Sequence, residues 1–165
     1  MAKGVADVTS IERLADRGVR VEEIAELVLD LQKRYVTDLT LSDCLQSVEA
    51  VLAKHEVTNA LLTGIALDEM AERGLLPEPL QSVVARDDPL FGIDEVMALS
   101  VVNIYGSIGF TNFGYLDKVK PGVIGRVDAC RNGHRCNTFL DDLIAAIAAA
   151  AAARLAHHER TADAH

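Results

Sequence analysis

Apolar residues recur at helical spacing along most of this chain. Val21, Ile24, Leu27, Val28 and Leu31 share one helical face, and Glu and Lys residues occupy the other. No segment shows the apolar–polar alternation of a strand. The pattern therefore predicts an all-α, single-domain bundle of about six to eight helices over residues 1–165, with an ordered core at about 10–159. Helices are predicted at 11–17, 21–35, 41–55, 56–73, 78–85, 93–105 and 138–159.

Several short sequence motifs add detail to these predicted helices. Thr40 with Asp43, and Thr138 with Asp141, have the spacing of a capping box at a helix start. Gly64 lies inside the helix predicted at 56–73, where a glycine costs about 1 kcal/mol and so indicates close approach of another helix. Three glycines between residues 106 and 114 predict a bend, or a place where a ligand meets the backbone.

Two apolar runs are candidates for membrane-spanning helices. Residues 96–110 and 143–153 are nearly uncharged, but both are shorter than the roughly 20 residues of a spanning helix. We expect buried helices of a soluble protein, with 93–105 as the central apolar helix. No secretion signal is visible at the start, and three cysteines leave an odd thiol, so a reduced, cytoplasmic protein is expected.

Composition and charge argue against some classes of function. Only 4% of the residues are aromatic, whereas 50% are hydrophobic, so the core is aliphatic. The net charge of −9 argues against general nucleic-acid binding, which needs a cationic surface. It also argues against broad electrostatic adhesion to anionic lipid. Two apolar helices rich in small residues favour a homodimer.

Acidic residues interrupt the apolar segments at a few points. Asp94 and Glu95, Asp117, and Asp141 with Asp142 all lie within 50 residues of one another. Buried carboxylates are costly unless a cation or hydrogen-bond donors pair with them, so one divalent-metal site is the simplest common interpretation. The alternative is that these acids mark helix starts, where the helix dipole favours negative charge.

Lysines near these acids suggest phosphate chemistry. Lys118 and Lys120 follow Asp117 closely in the sequence and could hold a phosphate, since Mg²⁺ is commonly bound by carboxylates together with a substrate phosphate. A solvated charged turn accounts for them equally well. Zinc is not favoured at Cys130, His134 and Cys136, because the spacing is unusual and a fourth ligand is missing.

These motifs, in this order, resemble the phosphatidylglycerophosphatase A family. The residues that carry the resemblance are Ile-Asp-Glu-Val at 93–96, Asp-Lys-Val-Lys-Pro at 117–121 and Leu-Asp-Asp-Leu-Ile-Ala at 140–145, with Leu-Thr-Gly-Ile-Ala-Leu-Asp at 62–68 upstream. The similarity covers residues 55–150. From residue 18 onward the chain looks closest to the soluble Firmicutes branch, which includes proteins called low temperature requirement C.

The resemblance implies an all-α, Mg²⁺-dependent phosphatase. Such an enzyme removes the terminal phosphate of phosphatidylglycerophosphate to give phosphatidylglycerol. Its implied partners are a phospholipid head group or another phosphate ester, with peripheral contact at the inner membrane surface. The catalytic residues carried over by motif are Asp94, Glu95, Asp117, Lys118, Lys120, Asp141 and Asp142. The metal ligands would be Asp94, Glu95, Asp141, Asp142 and Asp68, while Lys118 and Lys120 would bind phosphate.

Two other functions stay open at this point. An all-helical nucleotide pyrophosphohydrolase also uses acidic helices and Mg²⁺, but Glu23 and Glu26 supply only half of its usual paired Glu-x-x-Glu pattern. A non-catalytic helical binding or regulatory protein would keep the same scaffold. Carboxylates that fail to converge, or the lack of a response to Mg²⁺, would favour the non-catalytic protein.

Overall fold

Helices arranged around one central helix make up the structure, a computed structural model that describes residues 5–130 and 134–162. The predicted all-α fold is confirmed, and these residues form nine α-helices, slightly more than the six to eight expected. The predicted single domain over 1–165 also includes residues 1–4, 131–133 and 163–165, which lie outside the described residues. The helices are α1 (Val5–Asp16), α2 (Val21–Gln32), α3 (Leu41–Leu52), α4 (His55–Glu72), α5 (Leu80–Arg86), α6 (Ile93–Val102), α7 (Ser107–Val119), α8 (Val123–Ala129) and α9 (Leu140–Ala162).

The central helix of the bundle is α9. Every residue from 140 to 153 is buried, and most of them are alanine. A helix that is apolar on all sides belongs inside a protein, and its small side chains let neighbours pack closely. Helices α2, α3, α4, α6, α7 and α8 all contact it. The expectation that 93–105 would be central is therefore wrong, since α6 packs on α9 with one face exposed at Ile93 and Val96.

The predicted bend after α6 occurs at the first of the three glycines only. A 3-10 turn at Asn103–Tyr105 follows α6, and Gly106 breaks the helix with a φ of 78°. Helix α7 then runs without interruption through Gly109 and Gly114. Gly109 is buried where an added Cβ would lie 3.1 Å from Val102 Cγ1 and 3.9 Å from Ala153 Cβ. Tight packing against α6 and α9 thus accounts for that glycine.

Helix α4 approaches the start of α9 very closely, as Gly64 predicted. A Cβ atom at Gly64 would collide with Leu143 Cδ1 and lie 3.1 Å from Phe139 Cβ. Asp68, four residues later, shares that face of the helix. The missing side chain at Gly64 therefore lets Asp68 reach the first turn of α9.

The two predicted capping boxes have different outcomes. At α3 the box forms, because Asp43 N donates to Thr40 Oγ1 at 3.2 Å and Thr40 N donates to Asp43 Oδ2 at 2.9 Å. At α9 the predicted capping box does not form. The Thr138 hydroxyl donates to the Val84 carbonyl at 2.7 Å, and the Asp141 carboxylate accepts from Lys120. Among residues 5–130 and 134–162, no helix is long and apolar enough to cross a membrane.

Candidate active site

A polar cavity of about 330 Å³ opens at the start of α9. Its walls come from the loop 87–92, the first turn of α6, the end of α7, helix α8 and the first turn of α9. Eight carboxyl groups and one ammonium group line it among the described residues: Asp87, Asp88, Asp94, Glu95, Asp117, Asp128, Asp141, Asp142 and Lys120. The structure thus brings together six of the predicted catalytic residues.

Lys120 lies between acids from two different helices. Its Nζ is 3.1 Å from Asp117 Oδ1 on α7 and 3.1 Å from Asp141 Oδ2 on α9. Burial acts to lower the pKa of Lys120, but the carboxylates of Asp141 and Asp117 outweigh it and raise the pKa. Lys120 is therefore a permanent cation at the centre of the acidic cavity.

Unusual backbone conformations concentrate around the cavity. Four described residues other than glycine have a positive φ, and three of them line it: Asp87 at 50°, Leu90 at 64° and Lys120 at 49°. The left-handed conformation is unfavourable for residues with a Cβ, and such residues cluster at functional sites. At Lys120 it ends α7 and turns the chain toward Pro121.

Contacts on both sides hold the loop 87–92 in place. The ring of Phe91 meets the ring of Phe139 edge-on, with centroids 5.7 Å apart and planes at 88°. Arg86 donates to Asp88 at 3.0 Å. The aromatic contact fixes the loop directly to the residue before α9.

The two acids in the first turn of α9 are buried, and their pKa values are raised. Burial raises the pKa of Asp141 to about 7, although Lys120 acts to lower it. Burial and the charge of Asp141 raise the pKa of Asp142 to about 10, and a hydrogen bond to Asp117 contributes further. A bound cation would favour the charged forms of both acids and so lower these pKa values.

Asp68 lies apart from the cavity, behind the start of α9. One of its oxygens accepts from Phe139 N at 3.0 Å, and the other accepts from Leu140 N at 3.0 Å. Burial nevertheless raises the pKa of Asp68 to about 8. Asp68 thus satisfies two donors that a helix start leaves open.

A buried ion pair secures the segment that leads into α9. Arg17 donates to Glu72 at 2.6 Å, to the Cys136 carbonyl at 2.7 Å and to Asn137 Oδ1 at 2.7 Å. Cys136 N donates to Glu72 at 2.7 Å. We call Arg17, Asp68, Glu72 and Asn137 the rear network, because they hold the first turn of α9 and the segment before it but do not line the cavity.

The donor chemistry of the cavity fits a hard divalent cation, since Mg²⁺ prefers carboxylate oxygens. Within the described residues, however, no group of three His, Cys, Asp or Glu side chains is arranged to hold an ion. Ion binding would therefore require side chains to turn inward from the cavity walls. Neither Asp68 nor Lys118 lines the cavity: Asp68 caps α9, and Lys118 is exposed.

Three cavity acids are not among the predicted site residues: Asp87, Asp88 and Asp128. The segment Asp87-Asp88-Pro89 is typical of a turn, and its two acids could have been added to the acidic set on the basis of their charge. Asp128 is a lone acid in the short helix α8, and no local pattern points to the cavity. Only the packing of α8 on α9 brings it there.

Comparisons with known proteins agree with the motifs. The family model described as Phosphatidylglycerophosphatase A matches residues 17–157. The uncharacterized proteins YutG and YpjQ of Bacillus subtilis are 57% and 55% identical, and the alignments cover 90% and 93% of this chain and 89% and 85% of the relatives. The crystal structure of the low temperature requirement C protein from Listeria monocytogenes superposes with a TM-score of 0.91 at 52% identity, covering 96% of this chain and 99% of that one.

Proposed function

Since this chain belongs to the phosphatidylglycerophosphatase A family, we propose that it hydrolyses the terminal phosphomonoester of phosphatidylglycerophosphate in a Mg²⁺-dependent reaction. Water adds to the phosphorus atom and the P–O bond to the glycerol breaks. The glycerol oxygen leaves with a proton, so the products are phosphatidylglycerol and inorganic phosphate.

One observation carries the proposal. The ammonium group of Lys120 lies 3.1 Å from both Asp117 and Asp141 inside a cavity lined by eight carboxyl groups. A lone cation among many acids suits a substrate that arrives with its own negative charge and with a divalent ion. A purely structural ion pair would not need an open cavity beside it.

The cavity residues then divide into two roles. Asp94, Glu95, Asp141 and Asp142 would hold Mg²⁺, which supplies Lewis acidity toward the phosphoryl oxygens when it is bound. Once Asp141 is engaged, Lys120 is free to donate to a phosphate oxygen. Asp117 keeps its hydrogen bond to Lys120 and orients the ammonium group. Asp68 is left out of this ligand set, because the Phe139 and Leu140 amides already occupy its oxygens.

The test is phosphate release from phosphatidylglycerophosphate in mixed micelles, with and without Mg²⁺. We compare the wild type with Asp94→Asn, and we use Asp30→Asn, an exposed acid on α2, as the matched control. Asp94→Asn should lose at least about a hundredfold in kcat/KM, whereas Asp30→Asn should match the wild type.

The other outcomes each point elsewhere. A folded protein that binds Mg²⁺ in calorimetry but leaves the lipid intact would keep the metal site and exclude this substrate. Turnover of nucleoside triphosphates to monophosphates and pyrophosphate would favour a nucleotide pyrophosphohydrolase. Neither turnover nor Mg²⁺ binding would refute the enzyme and leave the non-catalytic helical binding protein.

A further inference from the structure

Three exposed aliphatic residues either line the cavity or directly adjoin, in the sequence, residues that line it. Leu90 is 101% exposed and lines the cavity, while Ile93 is 52% exposed and Val96 is 61% exposed on α6. Ile93 and Val96 are three residues apart and share the outward face of α6, whereas Asp94 and Glu95 line the cavity. We call Leu90, Ile93 and Val96 the apolar rim.

Leu90 is unfavourable for an isolated protein in two respects. Its side chain is fully in water, and its φ of 64° is a conformation in which glycine would be less strained. Neither feature is compensated by packing within the described part of the chain. A contact between the Leu90 side chain and a binding partner would explain both its exposure and its backbone conformation.

The chemistry of the proposed substrate supplies such a partner. The cavity holds about 330 Å³ and is lined mainly by carboxyl groups, so it suits a phosphorylated glycerol head group. Its apolar lining is limited to the loop residues Pro89, Leu90 and Phe91, which is too small for two acyl chains. The chains of a bound lipid must therefore stay outside, next to the residues at the mouth.

Charge determines what kind of contact the mouth can make. The chain carries a net charge of −9, and acids line the cavity, so attraction to an anionic membrane surface is not a source of affinity. Insertion of aliphatic side chains between lipids does not depend on that attraction. Lys118 is exposed and follows Asp117 directly on α7. It is the cation of α7 that could contact a lipid phosphate near the cavity.

On this basis we propose that the apolar rim seats the protein on the surface of a phospholipid bilayer, so that the head group enters the cavity while the acyl chains remain in the membrane. The proposal rests on the proposed function, since it takes the substrate to be a lipid. It assigns to Leu90, Ile93 and Val96 a role that the carboxylates do not have.

The experiment combines vesicle binding with two forms of the substrate. Sedimentation with vesicles of phosphatidylcholine and phosphatidylglycerol measures binding of the wild type and of the double variant Ile93→Ser/Val96→Ser. The matched control is Tyr35→Ser/Ile104→Ser, which removes two exposed apolar side chains away from the cavity. Hydrolysis is measured on vesicles that contain phosphatidylglycerophosphate and on its deacylated, water-soluble head group. Thermal unfolding checks that each variant is folded.

The rim variant should bind vesicles at least about tenfold more weakly than the wild type, because two aliphatic side chains no longer insert. Its kcat/KM on vesicles should fall in parallel, while its kcat/KM on the soluble head group should stay unchanged. Binding of the wild type should persist at about 1 M salt, which screens surface charges beyond about 3 Å. The control variant should match the wild type in every assay.

Several results would overturn the rim proposal. They are wild-type protein that fails to bind vesicles, binding lost in high salt, or a rim variant that binds as well as the wild type. A rim variant that changes the molecular mass in light scattering without changing vesicle binding would make this face a contact between two copies of the chain. If neither substrate is hydrolysed but the rim variant still binds vesicles more weakly than the wild type, the proposed function is refuted. The assignment of the apolar rim as a membrane-binding surface is then retained.

Discussion

The first turn of α9 separates two sets of buried charges that differ in how they are satisfied. Behind it, the rear network pairs Arg17 with Glu72, and Asp68 with two backbone amides. In front of it, Asp141 and Asp142 face a cavity where many carboxyl groups surround one lysine. Both sets are buried and acidic, and burial raises the pKa of Asp68 as well as those of Asp141 and Asp142.

Burial and a raised pKa therefore do not by themselves separate an acid satisfied by backbone donors from one that faces the cavity. Asp68 has its donors within the protein, so its work is to hold the helix in place. The pKa of Asp142 is raised in part by neighbouring carboxylates, and that repulsion is what an added cation would relieve. Substitutions on the two sides should therefore separate stability from activity.

The largest effect on stability is expected from Arg17→Met. It removes the buried guanidinium group that pairs with Glu72, whose side chain is only 16% exposed, and breaking a buried pair typically costs about 3–5 kcal/mol. Arg13→Met is the matched control, because Arg13 on α1 pairs with Glu69 on the same helix as Glu72 but is 32% exposed, and should cost less than about 1 kcal/mol. Urea unfolding of both variants measures the difference. Equal losses would show that the rear network does not depend on burial.

A smaller effect on stability distinguishes Asp68 from Asp142. Asp68→Ala leaves two buried amides without acceptors, which should lower the unfolding free energy by about 2–4 kcal/mol. Asp142→Ala removes an acid that already suffers repulsion, so stability should change by less than about 1 kcal/mol. Mg²⁺ affinity, measured by calorimetry on the folded proteins, should fall only in Asp142→Ala. A loss of Mg²⁺ affinity in folded Asp68→Ala would restore Asp68 as a ligand.

The smallest effect is a pH dependence that Mg²⁺ should partly remove. The folded pKa values of Asp141, Asp68 and Asp142, at about 7, 8 and 10, exceed the ordinary value near 3.8, so the folded state binds more protons above about pH 4. The stability that these three groups contribute is then fully present at low pH and is lost as the pH rises through these values. Unfolding between about pH 5 and pH 9 measures the fall, and saturating Mg²⁺ should reduce it. An identical fall with Mg²⁺ would contradict ion binding at Asp141 and Asp142.

Local sequence patterns predicted the features that depend on neighbours in the chain. The helical spacing of apolar residues gives α2 and α3 to within a few residues of their ends, and the Thr40–Asp43 box needs residues three apart. The convergence of Asp94, Asp117 and Asp141 could also be predicted, because acids in apolar helices are costly to bury unless they share a cation or hydrogen-bond donors.

Features that depend on distant contacts could not be predicted in the same way. Thr138 has the right spacing to cap α9, but Asp68, which is 71 residues away from Phe139, takes that place. The glycines of α7 suggested a bend, yet close packing on α9 accounts for Gly109. Likewise, Asp128 reaches the cavity and the rear network forms only when the helices pack together.

The position of α9 in the chain also affects how the protein is made. A ribosome synthesises α9 after all the helices that pack against it, so the earlier helices leave the exit tunnel with no central helix to cover their apolar faces. Chains that expose such surfaces during synthesis are prone to aggregation. We therefore expect folding to complete only after the alanine-rich segment has emerged, and the nascent chain to be a substrate for chaperones that bind apolar helices.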